Sequence, residues 1–323
     1  MHAALFLWQL WVAQPVGNAA CAPCHAGELE RHARSGHGRA LRPAAVADHL
    51  QGLTRAEANG TRYRYPAGNR VEITKGGQSM QAVFDWAFGS GLYGITYVGQ
   101  REGRWVEHRL TYYLDSKTAD FTPGHRRSPP ATLEDALGVR QSVADARRCF
   151  GCHATGVQPG DDATGPDLKQ MTPGVQCERC HGPGAAHVKA PTAKNVLNPG
   201  RFPARQQVLI CGECHRTPPA QNASREPELD DPLSVRFQPV GLMASNCFQK
   251  SGKLSCLTCH DAHDAPQRQK AAFYDAKCVG CHEGTGSKLR RAAQCKPDCV
   301  SCHMPKSTPV PHLTFTDHRI RAY

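Results

Sequence analysis

Long apolar runs, aromatic side chains and blocks of like charge are all scarce in this chain. No window reaches the roughly 18 to 20 consecutive apolar residues that a spanning helix needs, which excludes a helical integral membrane protein. No like-charge block or polar low-complexity tract points to a disordered majority. Aromatic residues reach only 7% and hydrophobic residues 40%, against 30 Gly and 24 Pro in 323 residues. Side chains alone therefore make a thin core for one large or two medium domains.

Cysteine and histidine are abundant instead, at 16 and 17 copies. That is too many for an ordinary reduced cytosolic enzyme, so a metal or cofactor is expected. Fourteen of the 16 Cys fall into seven C-x-x-C-H motifs. These are Cys21-Cys24-His25, Cys149-Cys152-His153, Cys177-Cys180-His181, Cys211-Cys214-His215, Cys256-Cys259-His260, Cys278-Cys281-His282 and Cys299-Cys302-His303. In c-type haem attachment the two thiols bond the porphyrin vinyl groups and the adjacent His reaches the iron from one side. Zinc knuckles and disulfide frameworks use C-x-x-C as well, but neither requires His directly after every second Cys. The pattern reads as seven covalent haems c.

Seven flat, mostly apolar porphyrins would replace the missing aromatic side chains as core. They also change the meaning of the charge. The 39 Lys and Arg against 28 Asp and Glu give a formal +11, which would ordinarily raise the question of nucleic acid. Two propionates per haem add about 14 negative charges, partly offset by about one positive charge per ferric centre. No nucleic-acid partner is expected.

Haem is attached on the far side of the bacterial inner membrane, so the chain is expected to be exported, to the periplasm or beyond. Residues 1–20 read as a signal segment. Ala3 to Ala13 is an apolar run broken by Gln9, followed by Gly17, Ala19 and Ala20, with His2 but no Lys or Arg at its start. The competing reading is a buried N-terminal helix. Cys21 belongs to the first motif, which leaves no role for it in a lipid anchor.

The motif starts are 128, 28, 34, 45, 22 and 21 residues apart, so six motifs crowd into the last 175 residues. This spacing predicts a first haem-binding segment over 21–58, a β-rich insert over 59–125 and a six-haem domain over 126–323. The expected fold is mainly α with much irregular loop around a stacked haem array, carrying a small antiparallel β insert. The insert is read from β-rich runs at Tyr63 to Tyr65, Val71 to Thr74, Ala82 to Phe88, Ile95 to Val98 and Trp105 to Tyr113, punctuated by glycines. Elsewhere Thr132 caps a helix through about Arg147, Pro203 opens one into the fourth motif, and 266–279 forms another. Pro218-Pro219 and Pro309 to Pro311 read as surface loops.

Ten histidines lie outside the motifs: His2, His32, His37, His49, His108, His125, His187, His263, His312 and His318. With His2 set aside, nine candidates face seven sixth coordination positions, so bis-histidine ligation is arithmetically possible throughout. The candidates taken as ligands are His37, His125, His187, His263, His312 and His318, with Met243 a thioether alternative. A residue a few positions after a motif His cannot wrap around the porphyrin. His263, three after His260, and His187, six after His181, would therefore have to serve another haem. Cys247 and Cys295 remain as a disulfide or as free thiols, with no catalytic role.

Three stretches carry a family resemblance: CHGPGAAH at 180–187, RFQPVGLMASNCFQKSGKLSCLTCHDAH at 236–263, and CVSCHMPK with TDHRI between 299 and 320. With SGHG at 35–38 and FGSGLYGITYVGQREGRWVEHRLTYY at 88–113, they resemble the multihaem cytochromes of the cytochrome c-554 and hydroxylamine-oxidoreductase-related superfamily. The resemblance implies stacked haem pairs in a loop-rich fold and His187, His263, His318 and His37 as distal ligands. Its ammonia-forming nitrite reductases carry Lys in place of His at the catalytic motif, whereas all seven motifs here end in His. Tyr323 lacks the pattern around the tyrosine cross-linked to haem in hydroxylamine oxidation.

The first functional reading is a periplasmic electron carrier, moving electrons along seven haems between redox partner proteins such as a quinol-linked donor and a terminal reductase. The alternative is an oxidoreductase acting on a small inorganic nitrogen or sulfur compound at one five-coordinate haem. A structural or sensory haem module is the third class, for which seven haems are excessive.

Overall fold

The computed structural model describes residues 15–46, 49–216, 231–264, 270–282 and 298–321. The chain divides into two compact units, 1–197 and 198–323, the first with three motifs and the second with four. This division falls inside the stretch 126–323 that motif spacing groups together. Helix accounts for 37% and strand for 25%, so the expected mainly α fold gives way to a mixed one. Sheet is more extensive than expected because strands begin before residue 59 and continue past residue 125.

Ten strands build the two larger sheets of the first unit: β1 Leu41–Pro43, β2 Thr54–Ala56, β3 Arg62–Arg64, β4 Arg70–Lys75, β5 Gln78–Val83, β6 Trp86–Phe88, β7 Gly94–Arg101, β8 Arg104–Tyr113, β9 Thr118–Phe121 and β10 Gly138–Arg140. β2 to β5 form a four-stranded meander. The other sheet runs β1-β6-β7-β8-β10, with β9 also on β8. The apolar run Ala82 to Phe88 is shared between both. Its corner is held by Phe84 N–H donating to Asn69 C=O and Asp85 N–H to Val98 C=O, one bond to each side.

Alternation along these strands turns one face of each sheet into a shared core. Tyr63, Val71 and Ile73 of the meander pack with Phe84, Ile95 and Leu110 in one core. Each such side chain contributes about 1.5 to 3 kcal/mol by leaving water. His108 lies within this core, fully buried. Tyr65 Oη is 2.8 Å from its Nε2 and Leu137 O is 2.7 Å from its Nδ1. Nδ1–H donates to the carbonyl and the Tyr65 hydroxyl donates to Nε2, so both nitrogens are engaged. Burial lowers the His108 pKa to about 3, and the ring is neutral.

The opposite face of the larger sheet offers Leu41, Phe88, Val98 and Trp105, which pack against Ala146 and Phe150. These two belong to helix Val143–His153, which ends in the second motif. The sheet is thus a wall against which one haem motif is seated.

The helix expected from Thr132 through Arg147 is interrupted. Thr132 does cap its start through a reciprocal bond with Asp135, but the helix covers only Leu133–Leu137. Gly138 follows at φ 151°, where an added Cβ would stand 1.9 Å from Glu107 O. That close approach lets β10 pair with β8, and a fresh helix starts from the Ser142 cap. Tertiary pairing overrides local helix propensity here.

The second unit contains helices Ala204–His215, Gln238–Ala244, Asn246–Ser251, Ala271–His282 and Cys299–His303. Pro203 opens the first as expected. The helix expected over 266–279 is described from Ala271, and residues 265–269 lie outside the described residues, as does Pro218-Pro219. Pro309, read as loop, lies in strand Lys306–Val310, paired with Leu313–Thr316. The register shifts between Ser307 and Val310, which accommodates a residue without N–H. Val208, Leu242 and Phe248 form a small core, and Met243 packs against it.

Candidate haem centres

Positions i, i+3 and i+4 share one face of a helical turn, so C-x-x-C-H on a helix turns both thiols and the imidazole toward a common side. The second, fourth and sixth motifs end the helices Val143–His153, Ala204–His215 and Ala271–His282. The third and seventh are themselves the short helices Cys177–His181 and Cys299–His303. The fifth begins as a 3-10 turn, Cys256–Thr258. The first lies within helix Asn18–Arg34, which leaves helical geometry at His25. Residues 18–20 of the expected signal segment are part of this helix, whereas residues 1–14 lie outside the described residues.

Besides His108, five imidazoles among the described residues place Nδ1 beside a backbone carbonyl: His153 at Ala40 O (3.0 Å), His181 at Leu197 O (2.7 Å), His187 at Thr192 O (3.0 Å), His303 at Arg321 O (2.8 Å) and His318 at Thr316 O (2.9 Å). Donation from Nδ1–H selects the tautomer whose lone pair is on Nε2, the arrangement that orients metal-binding histidine. Burial lowers the pKa of His153, His260 and His318, which favours the neutral ring a metal requires. The five carbonyl acceptors are main-chain groups, and sequence carries no signal for them.

Two pairs of rings face each other. His25 and His187 have centroids 6.4 Å apart with planes at 25°, and His260 and His318 stand 6.2 Å apart at 33°. Two metal–nitrogen bonds of about 2 Å, each with about 1.1 Å from nitrogen to ring centre, require roughly 6 Å between centroids. That is too far for a direct hydrogen bond and fits one iron between two imidazoles. In each pair one ring comes from a motif and the other from outside any motif. His187 faces the first motif rather than the third, which lies only six residues before it.

The other expected ligands are placed differently. His37 follows helix Asn18–Arg34, and its carbonyl accepts from Val175 N–H two residues before the third motif. His263 has Nδ1 3.5 Å from Asp261 Oδ1. His312 sits at the turn of the last hairpin with φ 66°. His125 has Nε2 3.1 Å from Glu107 Oε2. Cys247 is a half-buried free cysteine, and Cys295 and Tyr323 lie outside the described residues.

Motifs also approach one another. Hydrogen bonds link the thiols of Cys21 and Cys177, of Cys211 and Cys256, and of Cys278 and Cys299. Burial pushes the Cys149 and Cys177 thiols up to about 11, which keeps them neutral. Cys256 is shifted downward by its bond with Cys211. Among the described residues, no three His, Cys, Asp or Glu side chains converge as a porphyrin-free metal ion would require. The donor set fits haem c. When bound, such a group supplies one-electron transfer at a potential set by axial ligands, burial and hydrogen bonds.

Known proteins similar to this chain are cytochromes. The family described as Cytochrome c554 and c-prime matches residues 117–182. The multiheme cytochrome MtrA of Shewanella baltica (strain OS185) is 24% identical over 216 residues, covering 61% of this chain and 63% of that relative. The chain thus spans less than two thirds of the relative it matches. The outer cell wall cytochrome OcwA is similar in fold over 96% of this chain and 80% of its own, with TM-score 0.57 and 18% identity. An undecaheme cytochrome from the S-layer of Carboxydothermus ferrireducens covers 96% of this chain and 52% of its own, with TM-score 0.50 and 14% identity. Among the described residues no helix is long and apolar enough to cross a membrane. In its repeated attachment motifs, its matched family segment and its fold this chain is similar to multihaem cytochromes.

Proposed function

We propose that the chain binds seven haems c, one at each motif, and carries electrons along them between redox partner proteins in the periplasm or at the cell exterior. His25 with His187 and His260 with His318 are read as axial pairs, with His37, His263 and His312 as further distal ligands. The observation that carries this reading is the two pairs of imidazoles, 6.4 and 6.2 Å apart. An iron held on both sides has no open position for a substrate and is suited to outer-sphere transfer. Cysteines of different motifs in contact support short steps between neighbouring centres. The relatives' own descriptions, an outer cell wall and an S-layer cytochrome, support a place outside the cytoplasmic membrane.

The test uses protein matured in a host that assembles c-type cytochromes. Its mass is expected to exceed the polypeptide by seven haems, and a redox titration is expected to take up seven electrons. Low-temperature paramagnetic resonance is expected to be dominated by low-spin ferric signals. A mass equal to the bare chain would sink the haem assignment. A high-spin iron that shifts on adding nitrite, hydroxylamine or carbon monoxide would replace the carrier by an oxidoreductase.

A further inference from the structure

We infer that Glu178, one of the two residues between the cysteines of the third motif, is a positioning residue for the first haem, aligning the two elements that bear His25 and His187. The inference rests on the reading of those two histidines as ligands of one iron. Nothing in the C-x-x-C-H pattern asks for an acid at this position.

The carboxylate accepts three backbone N–H groups. Gly184 N lies 2.7 Å from Oε1, Val16 N 3.1 Å from Oε1, and Gly17 N 2.9 Å from Oε2. Val16 and Gly17 immediately precede helix Asn18–Arg34, which bears His25. Gly184 immediately precedes helix Ala185–Lys189, which bears His187. Neither helix has a side-chain cap of its own at its N-cap residue, so Glu178 satisfies donors that helix starts leave open. One carboxylate therefore fixes the start of both ligand-bearing helices relative to each other and to the third motif.

Other contacts fix the same joint. Asn18 Nδ2 bonds Gln176 Oε1, Cys177 N lies 3.4 Å from Asn18 Oδ1, and the Cys21 thiol meets that of Cys177. Space is tight, since a Cβ on Gly184 would come 3.2 Å from Val16 Cγ2. With the rings 6.4 Å apart, a shift of one helix by a fraction of an ångström along the line between them would stretch a metal–nitrogen bond. Charge-assisted bonds are the stronger class, and three on one group resist such a shift.

The second unit repeats the device with different residues. Asp275, three residues before Cys278, accepts Asp298 N–H and Cys299 N–H, both at 2.8 Å, and these bonds hold its carboxyl below the usual range. An acid on the helix of the sixth motif thereby holds the start of the seventh.

The experiment compares parent, Glu178→Ala, Glu178→Gln and His187→Ala, all matured with haem. The readouts are low-spin resonance signals of the ferric protein and carbon monoxide uptake by the ferrous protein. Glu178→Ala is expected to lose or displace one low-spin signal and to gain carbon monoxide binding at one more haem than the parent. Glu178→Gln keeps an acceptor for two of the donors and turns an N–H toward the third, so it is expected to move the same signal by a smaller amount. Spectra of Glu178→Gln identical to the parent would overturn the inference, including the case in which Glu178→Ala does not mature. His187→Ala separates the two claims. If it opens one haem while the Glu178 variants change nothing, positioning fails and ligation stands; if it opens none, ligation itself fails. The inference requires any leader to end before Val16, upstream of the boundary after residue 20 expected from sequence, and a mature chain beginning at Cys21 would lack two of the three donors and would overturn it.

Discussion

At the scale of single residues, the histidines divide by what their two nitrogens do. His108, left out of the ligands expected from sequence, uses both within the sheet core, and its burial and partners are tertiary facts. Its pKa is lowered to about 3 from an ordinary value near 6.5. Over that window the unfolded chain binds a proton that the folded chain refuses. Stability from this group is therefore present above pH 6.5 and falls as the pH drops toward 3, by at most about 1.4 kcal/mol for each pH unit. Urea midpoints of the sheet signal at pH 7 and pH 5 are expected to differ less in His108→Gln than in the parent; equal differences would refute the assignment. Arg109 is the other residue on which the sheet depends. Its guanidinium meets Glu57 at 2.8 and 3.0 Å and the carbonyls of Arg126 and Ser128 at 2.9 and 2.7 Å, with both side chains of the ion pair about 95% buried. Arg109→Met leaves the Glu57 carboxylate buried without its counter-charge, which is expected to cost roughly 3 to 5 kcal/mol in denaturant unfolding. Adding Glu57→Gln is expected to recover part of that loss.

At the scale of elements, legibility followed the range of the cause. The seven motifs, the strand runs between 62 and 113, the Thr132 cap and the Pro203 start all arise from neighbours in sequence, and each appears where the residues put it. What the sequence hid depends on distant partners. The larger sheet takes its edge strands from Leu41–Pro43 and Gly138–Arg140, segments too short to show alternation. His187 could be read as a ligand for some other haem, but its closeness to His25, on which the proposed axial pair rests, needs two helices brought together across 162 residues. Gly138 is the clearest long-range case. Its conformation matters because β8 passes within 1.9 Å of where a Cβ would stand. Gly138→Ala is expected to detach β10 and with it the Leu137 carbonyl that accepts from His108. Limited proteolysis should then cut between Leu137 and Ser142 before other sites, while haem content stays at the parental value. Parental resistance to protease would show that β10 tolerates the strain.

At the scale of the whole molecule, charge and cofactor are coupled. The polypeptide carries a formal +11, and no Lys, Arg, Asp or Glu occurs before Glu28, so removal of a leader leaves that figure unchanged. Iron-bound imidazoles stay neutral, which strengthens the usual neglect of histidine. The seven haems proposed would bring about 14 propionate charges, and each ferric centre would return about one positive charge that is lost on reduction. The oxidised protein should therefore hold a small net positive charge of about +4, and the fully reduced protein a small negative one of about −3. The basic isoelectric point of the bare sequence, about 9.0, is expected for neither state. Anaerobic isoelectric focusing, run with and without dithionite, should show the band moving toward the acidic side on reduction. A chain with zinc or disulfides at the motifs has no comparable charge to lose. A band that keeps its position in both states would mean that the irons do not change valence or are not there, and the proposed electron path would go with them.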